Sequence, residues 1–224
     1  MNSDQVYSLI KYIVGKNISQ GYVSPDDFYV AINTAQDEYT DYLLGEYQKY
    51  QVGRPIAAVE VGQKEKVRQS LAPLVYGKVL VPNPVTGVAA YPNDYELADA
   101  MWGVYNIYNI RFVNQPRLAS FFNSSIDLIS DNPVYLLQSD GFQFYPTNIG
   151  LAKLSYFRKP PSIVWGYTLD SNGVPVWNPA TSQNPVWGNY DMSNIIARAL
   201  RIIGVNLNDQ QVNQYAEEIK VGGQ

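Results

Sequence analysis

The chain has 224 residues with no Cys and no His, which excludes thiol nucleophiles, imidazole acid–base catalysis, Cys/His zinc sites and every triad built on His. A net charge of −4 and a pI near 4.8 come with no basic run longer than Arg158-Lys159, so nucleic-acid binding through counterion release is not expected. A chain of this length buries roughly 70% of its unfolded surface and needs neither a disulfide nor a metal to fold; the lack of Cys fits a reducing cytoplasm.

Residues 3–15 place Val6, Leu9, Ile10 and Ile13 on one side, with Ser3 as N-cap, and predict a short amphipathic helix. Asp4 stands where a signal peptide carries Lys or Arg, and the apolar residues are spaced, so neither an export signal nor a membrane span is expected. Ser24-Pro25-Asp26-Asp27 is the strongest helix start in the chain: a Ser cap, Pro at the first helical position and acids in the first turn. Phe28, Ile32, Ala35, Tyr39, Leu43, Tyr47 and Tyr50 follow at spacings of three and four. The resulting helix, residues 26–51, is about 39 Å long. It is expected to form a hairpin with the shorter first helix and to pack its uncovered remainder on a neighbouring subunit.

Residues 53–62 read as a loop and 63–71 as a helix ended by Pro73. Strands are expected at 75–81 and 87–91 around the turn 82–86, and a further turn at 92–95. Residues 98–112 alternate and are rich in β-formers, which predicts a strand. Residues 115–125 form a short helix or loop, and 134–138 a strand. Residues 142–145 and 151–157 read as the two arms of a central hairpin, looped by 146–150 and stopped by Pro160-Pro161, which have no N–H for a ladder. Residues 165–187 are rich in Trp and Pro and hold the turn signature Asn172-Gly173; the segment is too apolar to stand free in solvent. Asp191 is expected to cap a helix burying Ile195, Ile196, Ala199, Ile202 and Ile203 and ending at Gly204. Asn208 or Asp209 caps a last helix with Val212, Tyr215, Ala216 and Ile219.

Helices, then strands, then helices imply an α+β fold: an N-terminal helical hairpin with one long helix, a central antiparallel β-sheet and a C-terminal helix pair. The regions are 1–72 (helical), 73–165 (antiparallel β), 166–190 (the Trp/Pro-rich excursion) and 191–224 (C-terminal helices and tail), within one compact domain.

The motifs that suggest chemistry are weak. Ser8-Leu-Ile-Lys11 and Ser130-Asp-Asn132 match two elements of penicillin-recognising serine enzymes, but the K-T-G element is missing. Tyr7 with Lys11 and Tyr12 with Lys16 give Y-x-x-x-K without the glycine-rich dinucleotide loop a reductase needs. Asp37 and Asp41 share a helix face and are a conceivable metal or glycosidase pair, although a solvated face is the commoner meaning. No catalytic, metal or cofactor-binding residue is assigned, and no cofactor is expected.

Composition says more. Charged residues are 16% of the chain, against about 25% in ordinary soluble domains. There are 19 Tyr, and the 34 Asn and Gln nearly equal the 36 charged residues. Adenine/thymine-rich coding would raise Asn and Tyr, but it would raise Lys too, and there are only 9. Interfaces shed charge and gain Tyr and amides. The aromatic residues of the long helix (Tyr39, Tyr42, Tyr47, Tyr50), those of the excursion (Trp165, Tyr167, Trp177, Trp187) and the C-terminal tail are therefore the expected interface.

Asn132-Pro-Val-Tyr135, Phe142-Gln-Phe-Tyr-Pro146, Leu154-Ser-Tyr-Phe-Arg-Lys-Pro-Pro161, Trp165-Gly-Tyr167, Asp191-Met192, Gly204-Val-Asn-Leu207 and Gln214-Tyr215 form an ordered series over roughly residues 115–220. The series resembles the virion structural proteins of crAss-like and related short-tailed phages of Bacteroidetes, in particular their connector or ring proteins. The N-terminal third is similar, more broadly, to head-to-tail adaptor proteins. The resemblance implies a non-enzymatic homo-oligomer: a closed ring, commonly of twelve copies, between portal protein and tail. Such a ring contacts the portal and other tail or ring proteins, has no membrane partner, and lets DNA pass without specific binding. The protein would be made in the bacterial cytoplasm and reside in the virion. The alternative expectation is a host-surface or carbohydrate-binding tail protein, because aromatic faces stack on sugars.

Overall fold

The structure, a computed structural model, describes residues 1–17, 22–48, 58–105, 108–123 and 132–204. In chain order the elements are α1 (Ser3–Asn17), α2 (Pro25–Gln48), α3 (Ala58–Leu71), β1 (Val75–Leu80), β2 (Val88–Ala89), β3 (Tyr95–Gly103) and β4 (Arg111–Phe112). There follow α4 (Gln115–Asn123), β5 (Val134–Gln138), β6 (Gly141–Tyr145), β7 (Ala152–Arg158), β8 (Tyr167–Leu169), β9 (Pro175–Trp177) and α5 (Asn189–Ile202). The chain is of mixed α+β class. It divides into two compact units rather than the single domain expected: a terminal unit made of Met1–Pro73 with Pro160–Gln224, and a middle unit, Leu74–Lys159. Proline stands at both crossings, at Pro73 and at Pro160-Pro161, where a missing N–H ends the regular ladder.

In the terminal unit α2 starts where its sequence signal places it. The Asp27 N–H donates to Ser24 Oγ at 3.0 Å, and the Ser24 hydroxyl donates back to the Asp27 carboxylate at 2.6 Å, so the Ser24 side chain satisfies an N–H orphaned at the helix start and is itself held by Asp27. Phe28, Ala31, Ile32, Ala35, Tyr39, Leu43 and Leu44 form the buried stripe of α2. The expected hairpin with α1 is not the main packing. α2 lies chiefly against α5 and α3, while α1 meets its first turn through an edge-on contact of Tyr7 with Phe28, 5.1 Å between ring centres. Helical periodicity gives the face to be buried but not the helix that buries it, and here the cover comes from far along the chain.

α5 buries Met192, Ile195, Ile196, Ala199 and Leu200. Its cap is the backbone of Gly188, without a side-chain bond, and not Asp191. The helix stops at Ile203 and Gly204, whose φ of +90° suits glycine. The second helix of the expected C-terminal pair lies outside the described residues. The excursion forms a hairpin, β8–β9. Asp170 Oδ1 accepts the N–H groups of Asn172 and Val174, both at 2.8 Å, and Gly173 has φ +76°.

The middle unit holds two sheets where one was expected, in strand orders β1-β7-β3 and β2-β6-β5-β4. All neighbours are antiparallel except β4 and β5. Their shared core includes Leu80, Met101, Tyr135, Phe142, Phe144 and Leu154. Leu118 of α4 joins Val113, Val134 and Leu136 in a smaller cluster.

The central hairpin of residues 142–157 is not formed. β6 and β7 belong to different sheets, and β6 turns back on β5 instead, with Gln138 opposite Gly141. Both strands are buried along most of their length, so each is flanked on two edges: β6 by β2 and β5, β7 by β1 and β3. Gly141 is needed where β2 comes close, because a Cβ there would run into the Ala89 carbonyl. β1 and β2 do not pair either. Asn83 holds the turn between them, accepting the Val85 N–H on its side chain at 2.9 Å and the Gly87 N–H on its backbone carbonyl at 2.6 Å. The strand expected at 98–112 ends at Gly103, after which the chain returns with the Ile110 N–H donating to the Met101 carbonyl at 2.9 Å. Among the described residues no helix is long and apolar enough to cross a membrane.

Candidate interaction surfaces

The eight aromatic residues assigned to an interface divide into three groups. Tyr39, Trp165 and Trp187 are buried inside the terminal unit, which corrects their assignment to a surface. Tyr39 donates its hydroxyl to Asp191 Oδ1 at 2.8 Å, and its ring meets Trp187 edge-on at 5.7 Å. The Trp187 indole N–H donates to Gln36 Oε1 at 3.0 Å. Trp165 donates to Asp4 Oδ1 at 3.0 Å, with its ring 4.2 Å from that of Tyr7. Each ring gives its body to the core and its polar tip to an acceptor on a remote element.

Tyr42 and Tyr167 are exposed. Tyr42 lies beside the Arg198 guanidinium, 5.5 Å from the ring centre, and Tyr167 stacks on Trp165 at 5.7 Å. Tyr47 and Trp177 are half-buried. Arg68 approaches the Tyr47 ring at 5.8 Å. The buried indole N–H of Trp177 has no acceptor among the described residues. Tyr50 and the C-terminal tail lie outside the described residues.

Exposed aromatic and aliphatic side chains that the sequence reading did not single out are more prominent. Tyr22 is 69% exposed and Tyr190 64%; in the middle unit Tyr105 is 80% and Val85 83% exposed. Tyr12 and Tyr29 are exposed too. Tyr29 sits one position past the buried Phe28, off the apolar stripe of α2. That offset is the signal that could have marked it as outward-facing. The terminal unit also carries a cleft of about 320 Å³ lined by Tyr29, Trp165 and Tyr167 together with Asp26 and Thr181.

Many of the remaining tyrosines are buried or half-buried against the core. Tyr91, Tyr95 and Tyr135 surround Phe142 at 4.6, 5.2 and 5.7 Å between ring centres. The hydroxyls of Tyr91, Tyr108 and Tyr156 donate to the Gln138 carbonyl, the Ile149 carbonyl and Asp94 Oδ1 at 2.7, 3.0 and 2.8 Å. Burial pushes the phenols of Tyr7, Tyr95 and Tyr156 up to about 12, helped at Tyr156 by its bond to Asp94. Burial and then the Asp191 bond move Tyr39 further the same way. These shifts oppose use of a tyrosine as a base. In the two Y-x-x-x-K pairs the lysines lie over the rings instead, Lys11 at 5.2 Å from Tyr7 and Lys16 at 4.7 Å from Tyr12.

The raised phenols predict an alkaline limit to stability. Unfolded tyrosines ionise near pH 10 and these near pH 12. Their contribution is complete below pH 10 and is lost as pH rises toward 12, at up to about 1.4 kcal/mol per pH unit for each phenol. Denaturant titrations at closely spaced pH values from 9 upward are expected to show a flat stability that bends downward past pH 10.

Among the described residues no group of three or more acidic side chains is placed to hold a metal ion. Asp37 and Asp41 remain two residues of one helix. Ser8 lies exposed on α1, and Ser130 lies outside the described residues. No protein-family profile matches the chain, and no curated protein matches it.

Proposed function

We propose that this chain is a structural, non-enzymatic subunit of a phage head-to-tail connector or adaptor ring, seated in the virion between portal protein and tail. The observation that carries the reading is the apolar surface left after the internal aromatics are set aside. Tyr22, Tyr42, Tyr167 and Tyr190 in the terminal unit and Tyr76, Val81, Val85 and Tyr105 in the middle unit are all exposed, on a chain with only 16% charged residues. Six of these eight are Tyr, the residue that interfaces gain relative to the rest of a surface while charge is depleted. A closed ring uses two different, complementary patches on each copy, and both units offer such surface. The mild net acidity suits a channel that DNA crosses without being gripped. The ordered series of motifs over residues 115–220 directs the reading to phage connectors. Mass photometry of the purified protein, alone and with its portal, is expected to show a closed multimer or a multimer on the portal. Monomers in both samples would refute it.

One observation favours a second reading, a tail protein that binds host-surface carbohydrate. The cleft lined by Tyr29, Trp165 and Tyr167 also has the carboxylate Asp26 in its lining, a combination able to stack on a sugar and bond its hydroxyls. A glycan array separates the readings: binding lost on Tyr167→Ala supports the carbohydrate role.

A further inference from the structure

We infer that the outer edge of β1 receives the β8–β9 hairpin of a second copy of this chain. The contact rests on the ring reading and names the joint by which one subunit meets the next. It comes from a comparison of sheet edges. A strand edge presents unpaired N–H and C=O groups, and proteins blunt such edges with bulges, charges, prolines or very short strands. β2 and β4 are two residues each. β3 breaks its register twice, between Tyr95 and Leu97 and between Ala98 and Ala100, and carries Glu96 and Asp99 there. β1 has no bulge and no proline and is not short; its single guard is the charge of Lys78. Its six residues pair with β7 in unbroken register from Val75 to Leu80, and no described strand pairs with its other edge. Val75, Tyr76 and Val79 are 42, 44 and 48% exposed.

The hairpin presents the matching deficiency. It has three residues per strand and, among the described residues, no third strand, an arrangement that is marginal in water until a further strand or surface supports it. Tyr167, Leu169, Val174 and Val176 are exposed on it. Pro175 removes a donor from β9, which leaves β8 with the complete edge for pairing. The charges select the partner. Lys78 is the one charged residue in β1, and Asp170 the one charged residue from Tyr167 to Trp177. β1 against β1 would bring two lysines into one narrow strip, and hairpin against hairpin two aspartates. β1 against the hairpin brings opposite signs together. Donor and acceptor are different surfaces, so the contact is head-to-tail, the type that repeats from copy to copy in a ring or an open filament.

The chain has no native Cys, so introduced thiols are unique. Val79→Cys in one preparation and Leu169→Cys in another are mixed and treated with a short bis-maleimide, and each is also treated alone. The mixture is expected to give mainly the heterotypic cross-linked dimer. In parallel, Val79→Lys and Leu169→Lys, both at exposed positions and checked for an unchanged fold by circular dichroism, are each expected to weaken self-association by about tenfold or more. Assemblies that persist unchanged in both lysine variants would overturn this contact and leave the ring reading standing. Homotypic cross-linking as strong as heterotypic would also overturn it. A wild-type chain that never self-associates and cross-links no better in the mixture would overturn both.

Discussion

Asp191→Ala is expected to cost the terminal unit about 3–4 kcal/mol, as the loss of a buried charged acceptor with two donors. The carboxylate is buried and takes the Tyr39 hydroxyl at 2.8 Å and the Ser70 hydroxyl at 2.7 Å on the same oxygen. It thereby ties α2 and α3 to the first turn of α5. Alanine leaves the buried Tyr39 hydroxyl without its acceptor and opens a void among the three helices. Tyr39→Phe and Ser70→Ala remove one donor each and are expected to cost less, about 1–2 kcal/mol apiece. Urea unfolding followed by tryptophan fluorescence checks the series, since Trp165 and Trp187 report on this unit. Equal stability of wild type and Asp191→Ala would mean that packing alone holds the three helices.

Phe142→Ala is expected to remove about 3–5 kcal/mol from the middle unit. Phe142 is fully buried and central to the contact of the two sheets, with Tyr91, Tyr95 and Tyr135 around its ring. The neighbours cannot close the space cheaply, because the Tyr91 hydroxyl is anchored on the Gln138 carbonyl and the Tyr95 hydroxyl accepts the Ala98 N–H. A second readout follows from the same cause. The cavity lets water reach the Tyr91 and Tyr95 phenols, which burial now holds above their usual range, so both are expected to ionise at lower pH in the variant. Spectrophotometric titration of the folded protein measures this.

Local chemistry was legible in the sequence and partnership was not. The start of α2 follows from Ser24, Pro25 and Asp27, neighbours whose bonds close within one turn. β5 spans the residues expected of it, and β7 begins within a residue of its expected start and stops before Pro160. Strand propensity and a short loop predict a β6–β7 hairpin, but they say nothing about which edge each strand uses, and two nearly buried strands need two neighbours each. Asp191 looked like a cap because it precedes an apolar run. The backbone of Gly188 opens that helix earlier, which turns Asp191 inward to Tyr39 and Ser70. The surplus of tyrosine predicts surface, yet part of it lies inside. Composition counts rings but cannot tell an exposed Tyr105 from a Tyr156 whose hydroxyl finds Asp94 across the fold.

That division also fixes the decisive comparison. Oxidative footprinting of tyrosines in dispersed chains and in assembled particles is expected to leave Tyr7, Tyr39 and Tyr156 dark in both. Tyr76 and Tyr167 should label strongly when the chain is dispersed and become shielded on assembly. Equal labelling of Tyr76, Tyr105, Tyr167 and Tyr190 in both states would show that these rings face water throughout, and that other copies of the chain do not account for them.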